Sequence, residues 1–200
     1  MPENDPSAGS EEGGSPPKVT DPPHIRMKLA QCGARAWSGL GSNLGEPVQK
    51  VEAGMAEIDN EPGIRVMARS SLYRTAPTDY VDQPEFINAV VRINCTLEPA
   101  ALLERLQSIE NRFGRVRRGV RFGPRTLDLD ILIYDDLVGE TAALTLPHPR
   151  IHQRLFVLEP LFEIEGDMVI PAVGKLTECR ENCAGQQVEM LSAYDSTPSG

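Results

Sequence analysis

The stretch that decides the fold is a run of alternating side chains, Leu127-Asp128-Leu129-Asp130-Ile131-Leu132-Ile133-Tyr134. Successive side chains of a β-strand point to opposite faces, so this run predicts a strand with one apolar and one acidic face. The apolar face carries Leu127, Leu129, Ile131 and Ile133. On the acidic face, Asp128 and Asp130 are expected roughly 7 Å apart along the strand.

The segments on either side of this strand alternate between strand and helix patterns. Before it, the spacing of apolar residues predicts a strand at 35–41, a helix at 47–58, strands at 64–74 and 86–96, and a helix at 98–113. After it, the pattern predicts a strand at 144–146, a helix at 154–164 interrupted near Pro160, a strand at 168–170 and a helix at 173–181. The order β-α-β-β-α-β indicates the α+β class. We expect a ferredoxin-like α/β sandwich, with a mostly antiparallel sheet and helices packed on one face of it.

Composition divides the 200 residues into a folded domain and two tails. Residues 1–34 are rich in Pro, Gly and Ser and contain few large apolar side chains, which predicts a disordered N-terminal tail. Residues 35–184 carry the strand and helix patterns and are expected to form one catalytic domain. Residues 185–200 are polar and are expected to form a frayed C-terminal tail.

Charge and hydropathy exclude several classes of partner. The net charge of −9 argues against a general nucleic-acid binder and against binding to acidic membranes. No stretch approaches the roughly 20 apolar residues of a membrane span, and the first residues lack the pattern of a secretory signal. We therefore expect small-molecule substrates, with no nucleic-acid partner and no membrane contact. The protein is also expected to be cytoplasmic and monomeric.

A positively charged loop precedes the acidic strand. Six arginines fall within residues 112–125, a segment that contains no acidic residue. The guanidinium group presents a rigid fork of donors that suits phosphate oxygens. Two neighbouring carboxylates repel each other unless a cation neutralises them, and magnesium accepts one or two carboxylates together with substrate phosphates. The arginine loop and the pair Asp128 and Asp130 together indicate magnesium–nucleotide and phosphoryl chemistry.

A glycine-rich turn lies near the start of the domain, at Gly39-Leu40-Gly41-Ser42-Asn43-Leu44-Gly45. Its third glycine is one place late for a dinucleotide-binding fingerprint, and no acidic strand end follows about 20 residues later. We interpret it as a tight turn between strand and helix, with Ser42 or Asn43 as the helix N-cap.

The segment Arg121-Phe122-Gly123-Pro124-Arg125-Thr126-Leu127-Asp128-Leu129-Asp130 resembles the signature of the 6-hydroxymethyl-7,8-dihydropterin pyrophosphokinase family of folate biosynthesis. The resemblance extends over about residues 35–180 through Gly41-Ser42-Asn43-Leu44, Tyr73-Arg74-Thr75, Asp82-Gln83-Pro84 and Leu146-Pro147-His148. It implies a transfer of pyrophosphate from ATP to the hydroxymethyl group of the pterin, with release of AMP. It also implies two Mg²⁺ ions, with ATP as co-substrate.

The resemblance also implies roles for individual residues. The two metal ions would be held by Asp128 and Asp130, which would act in catalysis with Arg115 and Arg125. The residues expected to bind ATP are Glu110, Arg115, Arg117, Arg121, Arg125, Thr145, His148 and Arg154. The residues expected to bind the pterin are Thr75, Ala76, Pro77, Thr78, Phe86, Asn88, Phe122 and Phe156. The loops at 75–85 and 115–124 are expected to close over the ligands and exclude water.

Some positions depart from the family pattern. Ala76, Thr78, Ala143 and Pro149 replace residues that are common there, and Phe122 replaces a common Trp. These differences affect the finer ligand contacts and the loop packing.

Two alternatives remain open from the sequence. A ferredoxin-like RNA-binding module could use the basic loop, although such a module needs exposed aromatic residues on its sheet. A regulator that has the fold without turnover is the other alternative, and the intact aspartate pair and signature arginines argue against it.

Overall fold

The computed structural model describes residues 33–77, 83–114 and 125–192 of the chain. Its main sheet contains six strands: β1 (Ala34–Ser42), β2 (Ile64–Arg69), β3 (Leu72–Thr75), β4 (Phe86–Cys95), β5 (Asp128–Tyr134) and β10 (Val188–Ser192). Their order across the sheet is β10-β3-β4-β1-β5. The sixth strand, β2, is not in this sequence of neighbours and pairs with β4. All of these pairings are antiparallel.

Four α-helices and several short elements complete the described chain. The helices are α1 (Pro47–Asn60), α2 (Pro99–Arg112), α3 (Leu155–Glu165) and α4 (Leu176–Glu181), and a 3₁₀ helix covers Ile151–Gln153. Two small hairpins are formed by β6 (Gly139–Glu140) with β7 (Thr145–Leu146) and by β8 (Val169–Ile170) with β9 (Gly174–Lys175). The element order confirms the α+β class, and the antiparallel sheet agrees with the expected sandwich.

The helices cover both faces of the sheet, so the expectation of one covered face is wrong. The first core cluster joins α1 and α2 to the sheet and includes Met55, Leu106 and Ile93. The second cluster joins α3 and α4 to the opposite face and includes Trp37 and Leu158. Successive residues of β4, such as Val90 and Val91, belong to different clusters, because successive side chains of a strand point to opposite faces.

A bulge in β5 changes the predicted alternation of its side chains. Trp37 of β1 pairs with Ile133, but the next residue of β1 pairs with Ile131, so Leu132 is the extra residue. The prediction that Ile133 shares a face with Leu129 is therefore wrong, because Ile133 belongs to the second core cluster and Leu129 to the first. Asp128 and Asp130 precede the bulge and keep the predicted spacing of two residues on a common face.

The strand predicted at 64–74 is broken into β2 and β3 at Ser70 and Ser71. The Ser70 hydroxyl accepts a hydrogen bond from the Val90 amide at 2.9 Å and so replaces a backbone acceptor of the ladder. Glu163 of α3 accepts hydrogen bonds from the Ser71 amide and, at 2.7 Å, from the Ser71 hydroxyl. These side-chain bonds satisfy the polar groups that the break would otherwise leave buried without a partner.

Two helix predictions also need correction. The helix α3 is not interrupted at Pro160, because the burial of Leu158 and Leu161 on either side outweighs the loss of one helical hydrogen bond. The last helix begins at Leu176 rather than at 173. Ala172 and Gly174 have φ values of 55° and 127°, which are not helical; Ala172 lies in the turn of the β8–β9 hairpin and Gly174 begins β9.

The C-terminal segment differs from the tail predicted at 185–200. Residues Val188–Ser192 form β10, which pairs with β3 at the edge of the main sheet. Strand pairing supplies partners for the backbone groups, and Val188 and Leu191 pack against the two core clusters, so this part of the predicted tail is ordered.

Candidate active site

A cavity of about 280 Å³ lies between the main sheet and the elements at 150–157. The sheet contributes Thr75 at the end of β3, Asn88 of β4 and the aspartates of β5. The opposite wall contains residues of the 3₁₀ helix and of the beginning of α3. Most of the predicted site residues that the structure describes line this cavity: Thr75, Ala76, Pro77, Phe86, Asn88, Arg125, Asp128, Asp130, Arg154 and Phe156.

Asn88 and Thr75 form the buried polar end of the cavity. The Asn88 amide donates a hydrogen bond to the Thr75 hydroxyl at 2.9 Å, and both residues are almost fully buried. Gly41 lies beside them on β1, and a Cβ atom there would be 3.2 Å from the Asn88 side-chain oxygen. The absence of a side chain at Gly41 therefore leaves room for the Asn88 amide in this orientation. A fixed amide that can donate and accept suits the polar rim of a planar heterocycle.

The two aspartates of β5 each lie beside an arginine. An Arg125 guanidinium nitrogen is hydrogen-bonded to Asp128, and the Arg154 guanidinium lies 3.6 Å from Asp130. The Asp128 side chain is 18% exposed and that of Asp130 is 42% exposed, so the carboxylates border the cavity at different depths. The donor set is two carboxylates on one strand with arginines around them. This set fits magnesium bound together with phosphate groups, which needs only one or two protein carboxylates.

Over the described ranges, no group of three or more His, Cys, Asp or Glu side chains is arranged to hold a metal ion by itself. An all-protein metal cage is therefore absent from the described part of the chain. Any magnesium bound at Asp128 and Asp130 would complete its octahedral shell with water and substrate oxygens.

A second cavity, of about 450 Å³, lies on the other side of Asp130. Three residues predicted to bind ATP line it, namely Glu110, Thr145 and His148. Asp130 lines both cavities. Two ligands that occupied the two cavities would therefore approach each other at this carboxylate.

Glu110 is held against the backbone of the acidic strand. It is 1% exposed, and its Oε1 accepts a hydrogen bond from the Leu129 amide at 2.8 Å. Leu129 is the residue between the two aspartates, so this bond fixes the position of the strand between the two carboxylates. The buried carboxylate is thus a structural support for the aspartate pair as well as a wall of the second cavity.

His148 is neutral over the physiological pH range. Its burial, followed by the nearby Arg154 and Arg150 charges, lowers its pKa from 6.5 to about 4. Its Nδ1 accepts a hydrogen bond from the Arg150 amide at 3.1 Å, which assigns the proton to Nε2. The Arg154 guanidinium is 3.4 Å from that Nε2. Two N–H groups so close together suit a shared anionic acceptor, such as a phosphate oxygen.

Asn43 connects Arg125 to Gln83 and Pro84, and it does not cap a helix. Its Oδ1 accepts a hydrogen bond from the Arg125 amide at 2.8 Å. Its amide nitrogen donates to the Gln83 side chain at 3.0 Å and to the Pro84 carbonyl at 3.2 Å. The predicted N-cap role is wrong, because Glu46 is the N-cap residue of α1 and no side chain caps that helix. Ser42 instead donates to the Thr126 carbonyl at 2.6 Å.

Several predicted residues lie outside the described parts of the chain. These are Thr78, Arg115, Arg117, Arg121 and Phe122. Other residues line the first cavity without having been predicted, namely Gln83, Arg150, Gln153, Val157 and Gln186. Gln83 belongs to a motif that carries the family resemblance, so the sequence contained a signal for it. Gln186 had none, because it reaches the cavity only through the fold of the C-terminal segment.

Comparison with known proteins identifies the family. The model of the 7,8-dihydro-6-hydroxymethylpterin-pyrophosphokinase (HPPK) family matches residues 37–166. The 2-amino-4-hydroxy-6-hydroxymethyldihydropteridine pyrophosphokinase of Haemophilus influenzae is 41% identical over 157 residues, which cover 78% of this chain and 98% of that protein. The protein of the same name from Bacillus subtilis is 46% identical over 129 residues, which cover 64% of this chain and 77% of that protein.

The fold also matches solved structures. A crystal structure of HPPK-DHPS in complex with substrates superposes with a TM-score of 0.61 at 11% identity. The match covers 76% of this chain and 43% of that longer chain, and at this low identity it supports the fold alone. Among the described residues, no helix is both long enough and apolar enough to cross a membrane. The relatives and the family model confirm the resemblance inferred from the signature: the chain belongs to the 7,8-dihydro-6-hydroxymethylpterin-pyrophosphokinase family.

Proposed function

We propose that this chain transfers a diphosphate group from ATP to the hydroxymethyl oxygen of 6-hydroxymethyl-7,8-dihydropterin, in tetrahydrofolate biosynthesis. The bond that forms joins the pterin oxygen to the β-phosphorus of ATP. The bond that breaks joins this phosphorus to the oxygen that bridges it to the α-phosphorus, and this oxygen leaves on AMP with the electron pair. The hydroxyl proton passes to solvent. The observation that carries the proposal is the meeting of the two cavities at Asp130.

The first cavity supports pterin binding. Asn88 and Thr75 supply fixed polar groups at its buried end, and Phe86 and Phe156 supply aromatic surface within the same lining. Ala76 and Pro77 follow Thr75 on the cavity wall. A flat heterocycle with an amide-like edge needs this combination of ring surface and few polar partners.

The second cavity and its border support ATP binding. His148 and Arg154 present two adjacent N–H donors, and Thr145 and Glu110 line the space behind them. Arg125 lines the first cavity and lies beside the aspartate pair through its contact with Asp128. Charge-assisted hydrogen bonds from arginine are the strongest that the chain can offer to phosphate oxygens. Arg115, Arg117 and Arg121 are proposed to add to this set from the loop between α2 and β5, with Phe122 and Thr78 completing the pterin contacts.

Asp128 and Asp130 would hold Mg²⁺, for which the family resemblance implies two ions. Bound magnesium would neutralise the phosphate charge and polarise the phosphoryl group. The residues themselves contribute by position: Asp130 lines both cavities, Asp128 lines the first, and Arg125 and Arg154 provide positive charge beside them. Holding two substrates in line can supply about 7–11 kcal/mol of the barrier, so positioning and electrostatics suffice without a strong general base.

The test is a product assay with a matched pair of variants. The protein is incubated with ATP, MgCl₂ and 6-hydroxymethyl-7,8-dihydropterin, and AMP and pterin diphosphate are quantified by chromatography. Asp128→Asn is expected to lower turnover by about 10²-fold or more, because it removes a charge that stabilises the reacting centre. Asp136→Asn, in an exposed turn, is the control and should retain activity. Formation of ADP in place of AMP, or equal rates in both variants, would contradict the proposal.

Three further expectations stay predictions. A monomer can be tested by size-exclusion chromatography with light scattering. A cytoplasmic location can be tested by cell fractionation. The tail predicted at 1–34 overlaps β1 at Ala34, which pairs with Cys95. The expectation that the segment before β1 is dispensable can be tested by deleting residues 1–32, which should leave kcat and KM unchanged.

A further inference from the structure

The chain after α4 returns to the active site and is fixed at two points. Cys183 is buried in the second core cluster, and its carbonyl accepts a hydrogen bond from the Gln186 amide at 2.9 Å. Two residues after Gln186, Val188 pairs with Thr75, which lines the first cavity. Gln186 therefore has little freedom of position, and it lies in the lining of that cavity.

The side chain of Gln186 joins the end of the 3₁₀ helix to the beginning of α3. Its oxygen accepts a hydrogen bond from the Leu155 amide at 3.0 Å, and its nitrogen donates to the Gln153 carbonyl at 2.8 Å. Leu155 is the first residue of α3, whose N-cap residue Arg154 makes no side-chain capping bond. The first amides of a helix need acceptors from outside the helix, so Gln186 acts as a cap that comes from a distant part of the chain.

The residue between the two clamped groups is Arg154. Its backbone is held on one side by the Gln153 carbonyl and on the other by the Leu155 amide. Phe156 follows immediately, and the Arg154 guanidinium lies 5.7 Å from the centre of its ring. The same guanidinium lies 3.6 Å from Asp130. A change in the position of residues 153–155 would therefore alter both the aromatic wall of the first cavity and the cation beside Asp130.

We propose that Gln186 is a positioning residue for the reaction, which acts through Arg154 and Phe156. This inference rests on the proposed function and adds to it a residue beyond the segment matched by the family model, which ends at residue 166. An amide is suited to this role because it accepts from one backbone group and donates to the other at the same time.

The test compares Gln186→Met with Gln187→Met. Methionine has nearly the length of glutamine but makes neither hydrogen bond, and Gln187 is the exposed neighbour of the same type. We expect Gln186→Met to lower kcat/KM for the pterin about tenfold, which corresponds to about 1.4 kcal/mol. The change should appear mainly as a higher KM, because Phe156 and Gln186 line the pterin cavity. Gln187→Met should have wild-type constants.

A third variant and a stability measurement separate positioning from general support of the fold. Gln186→Glu retains the oxygen that accepts from Leu155, and a carboxylate is favourable at a helix N-terminus. We expect it to restore kcat/KM to within about threefold of wild type, since one of the two hydrogen bonds remains. Thermal unfolding of each variant gives the folded fraction at the assay temperature, and rates are expressed per folded molecule.

The outcomes distinguish this inference from the function on which it rests. A wild-type protein that forms no AMP overturns the proposed function. An active wild type with unchanged kcat and KM in Gln186→Met overturns the role of Gln186 alone. The same conclusion follows if the loss in Gln186→Met disappears when rates are expressed per folded molecule. A raised pterin KM in Gln186→Met, with recovery in Gln186→Glu, supports the positioning role.

Discussion

Replacing Asn43 by Ala should weaken turnover through two loop borders at once. The side chain is 3% exposed and makes hydrogen bonds to the Arg125 amide, the Gln83 side chain and the Pro84 carbonyl. Arg125 begins the described chain after the arginine-rich loop, and Gln83 begins it after the loop that follows Pro77. Asn43 thus links the two described segments that begin at Gln83 and at Arg125.

The size of the loss in kcat/KM depends on which partners of Asn43 can form hydrogen bonds with water instead. Pro84 is exposed and Gln83 is half-buried, so their groups recover part of the lost bonding from solvent. The net value of a hydrogen bond is about 0.5–1.5 kcal/mol, and three partly compensated bonds amount to about 2 kcal/mol. If all of this is lost from the transition state, kcat/KM falls about thirtyfold, because each 1.4 kcal/mol is a factor of ten.

The assay measures AMP formation at varied pterin and ATP for Asn43→Ala, Asn43→Asp and Asn60→Ala. Asn43→Asp keeps the acceptor for the Arg125 amide but turns a carboxylate oxygen towards the Gln83 side-chain oxygen and the Pro84 carbonyl, so its defect should be at least as large as that of Asn43→Ala. Asn60 lies exposed at the end of α1 and serves as the control. Wild-type kcat and KM in Asn43→Ala would refute the reasoning, as would wild-type constants in Asn43→Asp.

Three further predictions concern stability. Burial lowers the pKa of His148 from 6.5 to about 4, so the unfolded chain binds more protons than the folded chain between these pH values. The free energy of unfolding therefore falls as the pH decreases from 6.5 to 4. Urea titrations should show a shallower fall in His148→Gln. Glu163→Gln should lower the free energy of unfolding by about 1.5–3 kcal/mol, because it removes one charged acceptor from the Ser71 and Tyr73 donors; an unchanged urea midpoint would contradict this. Gly54→Ala gains about 1 kcal/mol of helix propensity, but its Cβ would lie 3.0 Å from a Leu127 methyl, and overpacking costs about 1–3 kcal/mol. The melting temperature should therefore not rise, and a rise would show that Leu127 can move.

The sequence contained the main elements of the fold because their patterns are local. The alternation in residues 127–134 identified β5, and the spacing of apolar residues after Pro47 and Pro99 identified α1 and α2 within a few residues. The aspartate pair and the arginines around it were recognised for the same reason: residue type and spacing within a short segment indicate the chemistry. The structure then brings Arg125, Asp128 and Asp130 into one cavity lining.

The differences arise where a distant partner decides the local structure. The extra residue Leu132 in β5 is explained by the pairing of β5 with β1. The sequence of β5 by itself contains no information about this pairing. The break at Ser70 and Ser71 depends on Glu163, which lies 92 residues after Ser71. A hydroxyl that can replace a backbone acceptor makes such a break tolerable, but its sequence is compatible with a continuous strand as well.

The same distinction separates the chemistry of the site from its geometry. Residues that would touch substrate, such as Asp128 and Asn88, have side chains whose chemistry suggests their role. The residues that hold the backbone around the site, such as Asn43 and Gln186, are ordinary amides whose role comes from binding backbone groups far from them in sequence. Buried backbone groups must find partners, and here the partners are supplied by side chains that also border the cavity. Catalytic geometry and backbone satisfaction are therefore coupled in this fold, so a substitution that leaves every substrate-contacting residue intact can still change KM.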